Sequence, residues 1–159
     1  MNSLINVQKA LLIISSVLVT LGLFATVILR YVFKYDLMGI DELLLIPIFV
    51  LYFLGGAHGS FEESHIRADI LESYINSDRV KDYIRLFNQL FILVVGTIVV
   101  VWSTNYLLWS VSEGGSTQGW KIPLYIPHGT ILLGFALMTF YTLIQFLQQI
   151  RGVIVSTKG

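Results

Sequence analysis

The sequence predicts an all-α integral membrane protein. It has four transmembrane helices, a short amphipathic helix on the cytoplasmic side, and both termini in the cytoplasm. Three observations carry that prediction. Apolar side chains make up 55% of the 159 residues and mean hydropathy is +0.77, where roughly 45–50% apolar is usual for a soluble domain. The 20 charged residues avoid four stretches, 10–29, 43–61, 86–112 and 122–150. Each is long enough to cross a ~30 Å hydrocarbon core as a helix of about 20 residues. With four spans both ends lie on one side, and seven basic residues fall there: Lys9, Arg67, Arg79, Lys81, Arg85, Arg151 and Lys158. Only Arg30, Lys34 and Lys121 lie on the other side. Cytoplasmic loops carry the Lys/Arg excess, which fixes the orientation.

The first span, about 10–30, ends in Ile28, Leu29, Arg30 and Tyr31 without a small-residue cleavage site, so it reads as an uncleaved helix and not as a signal peptide. The outward connector 30–42 is short, with Gly39 before two acids. Asp41 and Glu42 then open the second span, about 43–61, where carboxylates favour the positive end of the helix dipole. Pro47 lies about a turn inside and is tolerable in a membrane helix. In the cytoplasmic connector, Ile66, Ile70 and Tyr74 recur every four residues, with Arg67, Asp69 and Glu72 between them. That spacing predicts the short amphipathic helix, lying along the membrane surface or against the other helices. Asn76 and Ser77 break it, and Ser77 caps a helix running into the third span, about 86–110. The outward connector 113–127 holds three glycines, two prolines, Trp120 and Tyr125. The prolines exclude regular helix there, and the aromatics suit the membrane interface. The fourth span covers about 128–149. No repeat or separate soluble unit is visible, so residues 1–159 form a single membrane domain.

Several function classes fall away. Ten basic and ten acidic residues give a net charge of zero, which offers nucleic acid no basic surface. No cysteine is present, excluding disulfides, thiolate metal sites and a thiol nucleophile. His58 and His128 fall near opposite ends of their spans, and His58 and His65 are roughly 10 Å apart if helical. Neither pair suits axial ligation of one haem. No nucleophile elbow, zinc-binding histidine pair or phosphate-cradling glycine loop occurs. The chain therefore reads as a non-enzyme without a cofactor. A transporter acting alone would place ionisable groups at the bilayer midplane, but the spans carry only uncharged polar residues such as Ser15, Thr26, Thr97, Ser103, Asn105 and Thr139. The small-residue run Gly55-Gly56-Ala57 marks a face for close helix packing. The residues alone thus describe a scaffold for something else. An alternative from another class is a small membrane anchor of a redox enzyme, which would need bound haem or quinone.

Four segments in this order resemble the small membrane subunit (DctQ-like, or Q) of the tripartite ATP-independent periplasmic transporters, the TRAP family. Arg30-Tyr31-Val32-Phe33 follows the first span, as R-Y-V-F does in that family. Asp41-Glu42-Leu43 opens the second, similar to the family's E-E-L, and Leu54-Gly55-Gly56-Ala57 closes it. The connector carries His65-Ile66-Arg67-Ala68-Asp69, resembling H-I-x-V-D. Ile122-Pro123 and Ile126-Pro127-His128-Gly129 are akin to the family's I-P and P-x-G pattern. Two positions depart from the pattern: Ile40 stands where an aromatic residue often precedes the acids, and Ala68 where valine is usual.

The resemblance implies a sodium-coupled importer of an organic acid in a bacterial inner membrane. Dicarboxylates, keto acids and sialic acids all occur as substrates in the family. In such a system a periplasmic binding protein delivers the substrate, and a large membrane subunit (M) carries it with an elevator-like domain. The small subunit braces the fixed scaffold of the large one. Its expected partners are the large subunit, the binding protein and membrane lipids. Candidate docking residues for the binding protein are Arg30, Lys34, Asp41, Glu42 and Lys121. Gly55, Gly56 and Ala57 are the helix-packing candidates. His65 and Asp69, four apart on one helical face, are candidates for fixing the connector.

Overall fold

A computed structural model describes residues 2–34, 39–61 and 78–157. Four helices account for nearly all of them: α1 (Asn2–Tyr31), α2 (Ile40–Phe61), α3 (Asp78–Glu113) and α4 (Tyr125–Thr157). Each contains one stretch long and apolar enough to cross a membrane: Leu4–Tyr31, Ile40–Phe61, Ile84–Glu113 and Tyr125–Ile150. The proposed amphipathic helix of the 62–77 connector, with His65 and Asp69, lies outside the described residues.

The helix ends follow from the chain's chemistry. α1 closes where Val32 and Phe33 both donate to the Ile28 carbonyl. Gly39 adopts φ 104°, a left-handed turn that a side chain resists, and its carbonyl accepts the Glu42 and Leu43 N–H groups that start α2. α4 begins at Tyr125, three residues before His128. Pro127 fits there because the first turn of a helix needs no N–H from it.

Neighbouring residues define how the helices run. Leu12 faces Gly55, and Leu44 faces Gly22, so α1 and α2 are antiparallel. Thr139 faces Gly96 and His128 bonds Ser110, so α3 and α4 are antiparallel too. Between α2 and α4 the numbers rise together. Gly134 meets the Phe53 backbone, Gly56 meets Met138, and Phe61 packs edge-on against Tyr141 at 5.3 Å. α2 and α4 are therefore parallel neighbours. Broad contact among the described residues is confined to these three pairs, which puts the helices in an open row, α1–α2–α4–α3. α3 thus lies beyond α4 and not beside α2, although it follows α2 in the chain.

Burial follows the row. Of the most apolar stretch of each span, 17% is buried in α2 and in α4, 6% in α1 and none in α3. The core is a thin seam between α2 and α4, with Leu54, Ala57 and Tyr141 at its centre. Phe53 and Phe135 meet edge-on across it at 5.7 Å. At Gly134 an added Cβ would stand 2.7 Å from the Phe53 Cβ and 2.8 Å from its carbonyl oxygen, so the absent side chain is what brings the two backbones together. On α3 the face toward α4 repeats every seven residues through Gly96, Ser103 and Ser110, all small.

Candidate functional site

Five of the ten candidate residues, Arg30, Lys34, Asp41, Glu42 and Lys121, lie at one end of the row, where α1 and α3 finish and α2 and α4 start. There the α3–α4 connector folds back on itself. Ser116 and Pro123 form an antiparallel bridge. Thr117 N–H donates to the Ile122 carbonyl at 3.0 Å, and Leu124 N–H to that of Gly115 at 2.9 Å. The Ile122 N–H donates to Thr117 Oγ1 at 3.0 Å. This small loop presents its tip, Gly119 and Trp120, to the first turn of α2.

The tip is held by Glu42. One carboxylate oxygen accepts the Gly119 N–H and the other the Trp120 N–H, each at 2.8 Å. Both oxygens are thus engaged by backbone donors in the two-pronged geometry that carboxylates favour. An added Cβ on Gly119 would stand 3.2 Å from both oxygens, so a bare backbone suits this approach. The Trp120 indole lies over Gly39, in the space that a side chain on Gly39 would fill. Sequence reasoning placed Glu42 at a helix start, and it is there. Its carboxylate, however, clasps a loop 77 residues away in the chain.

The remaining charged candidates lie at the same end of the row. Arg30 is exposed in the last turn of α1, and Asp41 is exposed in the first turn of α2. Lys34 and Lys121 are exposed and carry φ of 51° and 52°, the left-handed region. That conformation costs a side-chain-bearing residue roughly 1–2 kcal/mol. In Lys121 it belongs to the tight return from the loop tip. Beside the loop, His128 ties α4 to α3 through Nδ1 to Ser110 Oγ at 2.8 Å and Nε2 to Tyr106 OH at 3.2 Å. Its ring also rests on Tyr106, centroids 4.6 Å apart. These contacts make His128 a link between helices.

Gly55, Gly56 and Ala57 sit elsewhere, in the second half of α2. Gly55 faces Leu12 of α1, Gly56 faces Met138 of α4, and Ala57 is fully buried. Next to them is a polar tie that sequence reasoning missed. Gln8 Nε2 donates to the Leu54 carbonyl at 2.9 Å, and Tyr141 OH donates to Gln8 Oε1 at 3.1 Å. Gln145 Nε2 donates to the Ser60 carbonyl at 2.9 Å. Gln8 is 3% exposed, so its amide is a buried polar group with both ends satisfied, joining α1, α2 and α4. The only signal in the sequence is an uncharged amide near a span end, which hydropathy averages away. His65 and Asp69 lie outside the described residues.

Among the described residues no three His, Cys, Asp or Glu side chains gather where they could hold a metal ion. The loop end offers a braced tip with an aromatic ring beside it; the opposite end offers helix-to-helix hydrogen bonds. A family model described as "Tripartite ATP-independent periplasmic transporters, DctQ component" matches residues 19–152. Comparison with curated proteins finds no match.

Proposed function

The chain belongs to the DctQ-component family of the tripartite ATP-independent periplasmic transporters, and from that premise we propose that it braces the large membrane subunit of a sodium-coupled organic-acid importer. The observation that carries the reading is the open row. Among the described residues α3 buries none of its most apolar stretch, and α1 only 6%, which leaves two long helical edges for another membrane protein. Mid-span charges, which a self-sufficient transporter uses to bind its substrate, do not occur in the four charge-free stretches. The chain acts as scaffold, and the substrate passes through its partner.

The same reading covers the finer assignments. The protein resides in a bacterial inner membrane as one domain with cytoplasmic termini, an orientation supported by the seven-to-three split of basic residues. The connector carries the amphipathic helix, with His65 and Asp69 fixing it. The outer end, braced by Glu42, contributes Arg30, Lys34, Asp41 and Lys121 to docking of the periplasmic binding protein. Its substrate is an organic acid, with dicarboxylates and sialic acids as the candidates to try.

Reconstitution tests the proposal. Liposomes holding this chain alone take up no organic acid. Liposomes holding it with its large subunit do so when binding protein and a sodium gradient are supplied. Uptake by the lone chain, or full uptake by the large subunit without it, would refute the accessory role.

A further inference from the structure

Asn105 stands on the side of α3 that none of the described helices covers. The face of α3 toward α4 is set by Gly96, Ser103 and Ser110. Asn105 follows Ser103 by two residues, about 200° around a helix of 3.6 residues per turn, and so points away from α4. It is exposed, and its carboxamide makes no hydrogen bond among the described residues. Three hydroxyls of the helix behave differently: those of Thr97, Thr104 and Ser112 each close on a backbone carbonyl of their own helix.

The depth matters. Asn105 precedes Glu113 by eight residues, about 12 Å along the axis at 1.5 Å each. It is ringed by Ile98, Val101, Trp102, Leu108 and Trp109, all exposed. A carboxamide has two donors and two acceptor lone pairs, and hydrocarbon tails offer it nothing. Lipid tails alone are therefore a poor cover for this face. By contrast Leu11, Ile14, Leu18 and Leu21, exposed on the other free edge, are purely aliphatic and sit in lipid at no cost.

We propose that the Asn105 face of α3 is where a transmembrane helix of the transporter's large subunit docks. That helix presents a backbone carbonyl or a polar side chain to the Asn105 carboxamide and packs between Trp102 and Trp109, one turn to either side. The inference rests on the accessory-subunit reading and names the edge of the row through which it works.

The test is made in membranes from cells co-expressing tagged chain and large subunit. A benzophenone amino acid is placed at Val101, Leu108 or Leu18. Illumination gives an adduct with the large subunit from Val101 and Leu108 and none from Leu18. In mild detergent, Asn105→Leu lowers the large subunit recovered with the tagged chain several-fold, and Asn105→Gln recovers part of it. Adducts from Leu18 alone, or adducts of two copies of this chain, overturn the proposal, as does undiminished recovery with Asn105→Leu. Failure of the unaltered chain to recover any large subunit overturns the accessory reading itself, and this proposal with it.

Discussion

Replacing Gly134 by alanine puts a methyl group where α4 meets the backbone of α2. The new carbon would lie 2.7 Å from the Phe53 Cβ, 2.8 Å from the carbonyl oxygen and 3.0 Å from the carbonyl carbon. Carbon atoms in good contact are about 3.5–4.0 Å apart, so the helices must part by about 1 Å, a gap that forfeits a quarter to a half of each contact's attraction. The obstacle is backbone and Cβ, which no rotamer change removes. Overpacking of this kind costs about 1–3 kcal/mol. Alanine also favours helix over glycine by about 0.8–1 kcal/mol, so a control must carry the same gain without the clash. Gly129 supplies it: it sits in the same helix, and an added Cβ there meets nothing within 4 Å. SDS titration of both variants in mild-detergent micelles, followed by circular dichroism and tryptophan fluorescence, reads the unfolding equilibrium. Gly134→Ala should be less stable than Gly129→Ala by about 1–3 kcal/mol, or about 5- to 150-fold in the equilibrium constant. Equal stability of the two variants would refute the claim that close backbone approach at Gly134 holds the seam.

Two further outcomes follow from the α3–α4 loop. Glu42→Ala removes both acceptors of the loop tip, so amide exchange at Gly119 and Trp120 should speed up several-fold while α2 and α4 keep their protection. Glu42→Gln keeps one acceptor oxygen but turns an NH2 toward the second donor, and should fall between; unchanged exchange in both variants would remove the clasp. Orientation is read with single cysteines at Ser116 and Glu72, since the chain has none of its own. On intact spheroplasts an impermeant thiol reagent should label position 116 and spare 72, and the reverse pattern would invert the topology.

What the sequence made legible was whatever rests on composition along one helix. Charges cannot sit cheaply in hydrocarbon, so their absence marks four stretches; three lie wholly within helices, and the fourth, 122–150, lies in one from Tyr125 onward. The order of neighbours left no such trace. An apolar stripe states that a helix wants cover and not which helix gives it, and α2 and α4 are adjacent without being consecutive. Gly134 looked like any glycine in an apolar span, because its significance lies in Phe53 on another helix. Glu42 was legible as a helix-start acid, whereas its hold on Gly119 and Trp120 depends on how the connector folds back. Pro127 was read as a helix breaker and proved to be a first-turn residue, since that turn has no internal donor to lose. Gln8 was passed over because one amide among apolar residues hardly moves a hydropathy average.

The placement of α3 beyond α4 bears on how the protein is made. Helices emerge from the ribosome in chain order, so α1 and α2 can pair while the rest is still being synthesised. α3 enters the bilayer next, before the one helix that covers any of it. Everything then waits for α4, which pairs with α3 on one side and closes the seam with α2 on the other. The protein is thus two helical hairpins joined by its last-made helix. A chain cut short in the 114–124 loop would leave an α1–α2 pair and a lone α3 with its Gly96, Ser103 and Ser110 face open to lipid, a natural mark for membrane quality control. The Asn105 side of α3, which α4 does not cover, is open to a partner from the moment that helix enters the bilayer.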